Sequence, residues 1–232
     1  MTIGAMILAA GRGERMRPLS DTTPKPLLRV GGKPLIVWQI EGLVRAGLSD
    51  IVVNASHLAA ELTAALGDGR AFGARLAWSR EPEPLEVAGG IATALPLLPP
   101  GPTIVVSGDV WSAFDIATLL PRAYAMAHHA APPRAHLVMV PNPPYHAAGD
   151  FVLQGERIAA DGGTKLTFGN IAVYDTALFE ALPRGEKRRM LPLFQAWISQ
   201  GIVSGERYEG PWANVGTPAD LAALDAQLAR AS

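Results

Sequence analysis

The chain has 232 residues, 49% of them hydrophobic, with no cysteine and a formal net charge of −1. That is enough apolar material for a substantial core, it excludes disulfide scaffolds and thiolate chemistry, and the balanced charge leaves any basic site local rather than global. No run approaches the roughly 18 apolar residues of a membrane helix, and the opening IGAMILAAG lacks the length and the basic flank of a secretory signal; a soluble cytoplasmic protein without nucleic-acid or membrane partners is expected, its oligomeric state open.

In chain order, Ala5–Ala9 reads as a buried strand, followed by the loop Gly11–Pro26. Pro34–Ala46 has helical spacing, with Pro34 suited to the first turn and Gly47 to the stop. Strands are expected at Ile51–Asn54, Leu76–Ser79, Thr103–Ser107 and Ala135–Val140, and helices at Leu58–Leu66, Gly89–Leu98 and Phe114–His129. Such alternation predicts crossover units and an α/β fold: three α/β/α layers, Rossmann-like, around a mostly parallel mixed central sheet. After Pro141 the rhythm changes, with short strands at Asp150–Leu153, Leu166–Tyr174 and Val203–Tyr208 and helices at Met190–Gln200 and Pro218–Arg230. These read as antiparallel additions that close one side of a cleft.

Open α/β sheets bind ligands at the carboxyl ends of their strands, so three loops carry the chemistry. In LAAGRGERMRPLSDTTPKPL, Leu8–Leu27, the glycines Gly11 and Gly13 allow backbone amides to approach phosphate oxygens, and Arg12, Arg15, Arg17 and Lys25 offer cations. The spacing fits neither a Walker A loop nor a dinucleotide fingerprint, and a plain tight turn with solvated arginines accounts for it equally well. In VVSGDVW, Asp109 follows Gly108 directly after a buried strand and is placed to hold a divalent cation, while Ser112 or Asp115 suffices to cap the next helix and Trp111 suits packing. In PWANVGTPADLAALDAQL, Thr217 and Pro218 mark a helix start, and Asn214 precedes them by three residues.

LAAGRGERMRPLSDTTPKPLL, EPEPLEVAGGI, SGDVW, GDF, TFGNIAVY and WANVGT, in that order from Met6 to Leu221, strongly resemble the sugar-phosphate nucleotidyltransferase superfamily. The resemblance implies one domain over residues 1–232, with a nucleotide-binding part to about residue 140 and a sugar-binding part beyond it. It implies transfer of a nucleotidyl group from a nucleoside triphosphate to a sugar 1-phosphate, with pyrophosphate as the leaving group. UTP and an amino-sugar 1-phosphate, N-acetylmuramic acid 1-phosphate, are the favoured pair, in peptidoglycan recycling. Guanylyl transfer to mannose 1-phosphate or a related hexose or heptose phosphate is the alternative, and a nucleotide-sugar sensor without turnover is the reading of another class.

By the same resemblance, Arg15, Lys25 and Asp109 are catalytic. Leu8, Ala10, Gly11, Gly13, Glu14, Glu83, Leu85, Gly89, Gly90 and Gly108 join Arg15 and Lys25 around the nucleotide. Asn54, Asp150 and Asn170 look toward the sugar, with His57 a weaker contact, and Asp109 and Asn214 are implied ligands of Mg2+. His128, His129, His136 and His146 fall outside the motifs. Two departures from the family pattern stand out: Asn214 replaces the usual aspartate of D-x-G-T, and Val87-Ala88 replaces Thr-Gly in the base loop. No C-terminal hexapeptide-repeat domain is expected after Leu221. A lactyl carboxylate on the sugar would need a cation, for which Lys165 and Arg157 are candidates.

Overall fold

The computed structural model describes residues 2–128 and 134–231; His129 lies outside them. The strands are β1 Gly4–Leu8, β2 Arg29–Val30, β3 Lys33–Pro34, β4 Asp50–Ala55, β5 Arg75–Arg80, β6 Pro102–Ser107, β7 Val110–Ser112, β8 Ala135–Val140, β9 Phe151–Gln154, β10 Arg157–Ala159, β11 Lys165–Asp175, β12 Val203–Arg207 and β13 Trp212–Asn214. The α-helices are α1 Leu19–Thr22, α2 Leu35–Arg45, α3 Ala59–Leu66, α4 Glu86–Ala94, α5 Leu120–His128, α6 Leu191–Ser199 and α7 Pro218–Ala231.

Nine strands form one sheet in the order β5-β4-β1-β6-β11-β8-β12-β10-β9, with β9 pairing back onto β11. The first four, β5 to β6, run parallel. β11 then enters antiparallel between β6 and β8, β12 lies parallel to β8, and β10 and β9 finish antiparallel. The parallel strands read as continuous apolar runs because both faces are covered. Side chains alternate between the faces: Ile7, Val53, Ile104, Val106 and Val173 pack on the side of α2, α3 and α5, while Met6, Val52, Val105, Leu137 and Ala172 pack on the side of α4 and α6. The sheet is thus sandwiched between helical layers.

A third cluster matters most for the site. Met16, fully buried in the middle of the loop after β1, packs with Leu28, Val30, Leu35, Trp111, Val215 and Leu224. Trp111 meets Trp38 edge-on at 6.1 Å, so it is a packing residue. One apolar side chain therefore ties the glycine-rich loop to β7, β13 and α7, and this cluster decides where the neighbouring charged residues stand.

Two local expectations change. Pro34 does not open the helical turn; with φ −58° and ψ 145° it ends β3 and stands just before α2, where its ring costs no helical hydrogen bond. Phe114 stays outside helix: Asp115 accepts a hydrogen bond from the Ala117 amide at 3.1 Å and starts a 3-10 turn at Ile116–Leu119 that leads into α5. Gly47 does stop α2, with φ +83° and its N–H donating to the Val44 carbonyl.

Candidate active site

A cleft of about 810 Å³ opens at the carboxyl ends of β1, β4 and β6. Its first wall is the loop after β1. Gly13 has φ +63°, and a Cβ there would stand 3.1 Å from the Lys25 Cβ, so backbone conformation and close approach both require glycine. The Ser20 hydroxyl donates to the Gly13 carbonyl at 2.8 Å and holds the turn. His57 contacts the Ser20 carbonyl through Nε2 at 3.0 Å, which braces this loop, and it does not line the cleft. Gly11 differs: nothing lies within 4 Å of where its Cβ would be, and its φ is not positive. Neither strain nor packing explains it, so its bareness leaves open space for a ligand.

Lys25 and Asp109 meet across this wall. The Lys25 Nζ donates to Asp109 Oδ2 at 2.6 Å, with the lysine side chain 11% exposed and the aspartate 32%. Asp109 is held by its backbone. Gly108 donates its N–H to the Leu8 carbonyl at 2.9 Å, and the Asp109 carbonyl accepts from the Val215 N–H at 3.0 Å. A Cβ on Gly108 would press on that Leu8 carbonyl at 3.2 Å, so Gly108 brings β1 and β6 together and does not itself line the cleft.

Asn214 lies in the antiparallel ribbon of β7 and β13, where it pairs with Val110, the residue after Asp109; it is not among the residues that line the cleft. Its Oδ1 is buried and has no hydrogen-bond partner, an exception among buried polar atoms that calls for an explanation. The following Gly216 makes room for Arg15: a Cβ there would lie 3.3 Å from Arg15 Nη2. Asp220 accepts hydrogen bonds from the Gly216 and Thr217 amides at 3.1 and 2.8 Å and from the Thr217 hydroxyl at 2.8 Å, capping α7 as the Thr217-Pro218 signal predicts.

Tyr145, on the turn Pro144–His146, completes this end. Burial pushes its phenol up, as do the carboxylates of Asp220 and Asp109, against Arg15 and the Asn214 backbone. The residue as a whole is half exposed and does not line the cleft.

The floor is a buried chain of hydrogen bonds. The Ala9 N–H donates to Asn54 Oδ1 at 2.7 Å, Asn54 Nδ2 donates to Glu81 Oε1 at 2.7 Å, and the Leu85 N–H donates to Glu81 Oε2 at 3.0 Å. Burial raises the Glu81 carboxyl above its ordinary range, against those two hydrogen bonds. The Asn54 amide is thereby fixed through both its oxygen and its nitrogen, and the residue lines the floor of the cleft. Above it, Glu86 opens α4 with φ +61°, an uncommon conformation for a residue with a side chain, and Glu83, Leu85, Glu86 and Val87 line the cleft.

The structure brings Leu8, Ala10, Gly11, Gly13, Glu14, Arg15, Lys25, Asn54, Glu83, Leu85 and Asp109 together around the cleft. Gly89 and Gly90 stand behind it, buried in α4. A Cβ on Gly89 would collide with the Glu186 carbonyl oxygen, and one on Gly90 would lie 2.7 Å from Asn54 Nδ2 and 2.9 Å from Glu81 Oε1; both serve packing. Asp150 and Asn170 also lie off this cleft. Asp150 receives the Phe168 N–H at 2.8 Å and faces His146 Nε2 at 3.0 Å, closing the loop onto β11. Asn170 has φ +56° inside the irregularity where β11 shifts register against β8.

Among the residues that motif reading did not single out are Met16, Gly216, Tyr145 and Lys187. Only Gly216 had a sequence signal, its place in NVGT.

Residues 4–148 match the family described as nucleotidyl transferase. The chain is 46% identical to the N-acetylmuramate alpha-1-phosphate uridylyltransferase of Neisseria meningitidis over 92% of this chain and 93% of that protein. It is 32% identical to the protein of the same name from Caulobacter vibrioides over 98% of this chain and 97% of the other. In fold it superposes with a TM-score of 0.85, at 19% identity, on a Bacillus anthracis protein described as a glucose-1-phosphate thymidylyltransferase in complex with sucrose, over 98% of this chain and 95% of that one. With the glycine-rich loop, Lys25 and Asp109 gathered at the carboxyl edge of a Rossmann-like sheet, the chain belongs to the nucleotidyl transferase family.

Proposed function

We propose that the protein is a magnesium-dependent uridylyltransferase that transfers UMP from UTP to N-acetylmuramic acid 1-phosphate, forming the UDP-sugar and pyrophosphate. The observation that carries this reading is the Lys25–Asp109 pair at 2.6 Å in the cleft at the carboxyl ends of β1 and β6, in a chain whose two curated relatives named above share that activity in their names.

The acceptor's phosphate oxygen is already a nucleophile, so the reaction needs alignment and charge neutralisation rather than a general base. It forms a bond to the α-phosphorus while the bond from that phosphorus to the bridging oxygen of the β-phosphate breaks. Backbone N–H groups from Gly11 to Gly13 and the guanidinium of Arg15 would hold the β- and γ-phosphates, with arginine offering its fork of donors. The Lys25 ammonium, held ready by Asp109, would exchange that carboxylate for an oxygen of the reacting phosphate.

Asp109 and Asn214 would hold the magnesium ion, which supplies charge neutralisation on the phosphate oxygens when bound. The donor types fit: Asp109 offers a carboxylate, and Asn214 offers a carbonyl oxygen that lacks any partner, in the β-ribbon whose next residue, Val215, bonds the Asp109 carbonyl. Among the described residues no group of three or more His, Asp or Glu side chains makes a closed cage, which suits a cation whose remaining ligands are phosphates and water.

The test is pyrophosphate release with magnesium across four nucleoside triphosphates and a panel of sugar 1-phosphates. Turnover highest with UTP and the muramyl phosphate supports the reading. Preference for GTP with mannose 1-phosphate, or nucleotide binding without turnover on any sugar, contradicts it.

A further inference from the structure

A second hollow, of about 330 Å³, lies away from the catalytic cleft. It sits at the amino ends of β8 and β12, beside the β9–β10 hairpin, and Arg134, Gln154, Glu156, Arg157, Gly201 and Ser204 are among the residues that line it. β6 runs parallel to β1, β11 antiparallel to β6 and β8 antiparallel to β11, so β8 and its parallel neighbour β12 point the same way as β1. Their amino ends are therefore on the opposite edge of the sheet from the cleft. Neither cation considered for a sugar carboxylate lines the cleft: Arg157 stands at this hollow, and Lys165 pairs with Asp161 at 3.2 Å.

The hollow is built on a polar row. Strand register places His136, Ser204, Arg157 and Gln154 opposite one another on β8, β12, β10 and β9, and directly paired residues share a face of the sheet. His136, 1% exposed, anchors the Ser204 hydroxyl through Nδ1 at 2.8 Å. Arg157 lies along Gly201, where φ is +69° and a Cβ would stand 3.5 Å from Arg157 Nη2. Arg134 stands just before β8, its carbonyl accepting the Asp175 N–H at 3.0 Å. The carboxylate at the hollow is already taken: Glu156 accepts from Arg122 Nη2 of α5 at 2.7 Å. Arg157, the next residue, and Arg134 pair with no carboxylate among the described residues. A lone surface arginine is ordinarily a solvated charge. Two that face one hollow, with the local acid claimed by a third, leave that hollow with uncompensated positive charge.

We propose that this hollow is a second anion site, at which the guanidiniums of Arg157 and Arg134 receive a phosphate group, either free or carried by a small metabolite. Each guanidinium presents a planar fork of donors that matches phosphate oxygens, and a phosphate group brings about −1.5 to −2 charges at pH 7 to meet the two cations. The volume is at the lower end of small-molecule sites, which begin at about 300 Å³. Such a site is separate from the transfer chemistry and stands whether or not the uridylyl reading does.

The experiment is equilibrium dialysis of labelled inorganic phosphate, and separately of glycerol 3-phosphate, at a fixed ionic strength of about 0.15 M. It compares wild type, Arg157→Ala, Arg157→Lys and Arg134→Ala, each with and without Arg15→Ala at the cleft, with circular dichroism recorded for every variant. Wild type is expected to hold one more anion per chain in the low millimolar range than Arg157→Ala, and the same difference should persist in the Arg15→Ala background. Arg157→Ala should weaken that site at least about tenfold, as loss of a charged hydrogen bond does. Arg134→Ala should weaken it by about threefold or more, and Arg157→Lys, a point charge without the fork, should fall between wild type and Arg157→Ala. The probe that binds more tightly identifies the source as the ester or the free ion. Equal binding by wild type and Arg157→Ala, or a difference that disappears once Arg15 is replaced, overturns the inference.

Discussion

On the wall of the cleft built by the loop after β1, Arg15 pairs with no carboxylate among the described residues and Gly11 faces empty space, and in β13, one residue before the Val215 that bonds the Asp109 carbonyl, Asn214 Oδ1 lacks any partner. Beneath α4, by contrast, Asn54 and Glu81 are tied to each other, to Ala9 and to Leu85, while Gly89 and Gly90 are packed against their neighbours. Both regions belong to motifs of the same family. The first is open toward a ligand; the second is braced from within. Motif membership therefore does not separate residues that act from residues that hold those in place; the unspent hydrogen bond and the unfilled space do.

Substitutions on the two sides should differ in kind. The largest effect is expected at Asp109→Ala, about a thousandfold loss of pyrophosphate release with the circular dichroism spectrum retained, since under the proposed reading it removes the carboxylate that would hold the magnesium ion. Turnover that survives with its magnesium dependence intact would place the chemistry elsewhere.

The two glycines of the loop sharpen the contrast. Gly13→Ala puts a side chain at φ +63° against Lys25 and should cost about 1–2 kcal/mol of stability in a denaturant melt. Gly11→Ala should leave stability within about 0.5 kcal/mol and raise the KM for the nucleotide. Equal destabilisation by both would mean that Gly11 is structural after all.

A smaller change is expected from Asn214→Asp. A carboxylate in place of the amide carbonyl should lower the magnesium concentration needed for half-maximal rate by a few-fold. An unchanged or higher requirement would remove Asn214 from the cation's surroundings.

The smallest concerns Glu81, which belongs to the supporting side. Its folded carboxyl titrates above the ordinary 4.5 because of burial, so folding favours the protonated form. This residue's contribution to stability is then greatest below pH 4.5 and declines as pH rises from 4.5 through the folded value. Urea melts across that range should show the decline in wild type and a flatter profile in Glu81→Gln. An identical slope in both would assign the pH dependence to other groups.

The apolar runs of β1, β4, β6 and β8 were legible within one or two residues, since a strand buried on both faces leaves a plain hydrophobic signal. The three-residue strands β7 and β13 were not. Their pairing is set by Met16, Trp111 and Val215 meeting across distant parts of the chain, and no local periodicity announces that. At the site, Lys25 and Asp109 were readable from their motifs, and their pairing at 2.6 Å joins residues 84 positions apart. That Asn54 and Asp150 are hydrogen-bonded within the protein and that Gly89 and Gly90 are packed inside α4 was not readable, because sequence shows which residue is present but not what it touches. Lys187 was invisible for the same reason: a lysine in a basic loop looks like a solvated charge until it is seen to line the cleft.

One reaction tests the central claim most directly: UTP with N-acetylmuramic acid 1-phosphate, followed for pyrophosphate and UDP-sugar together, with magnesium, then with the metal chelated, then with it restored. The account predicts one pyrophosphate per UDP-sugar, stopping on chelation and resuming on restoration. UTP bound to the protein with neither product formed under any of the three conditions would contradict it.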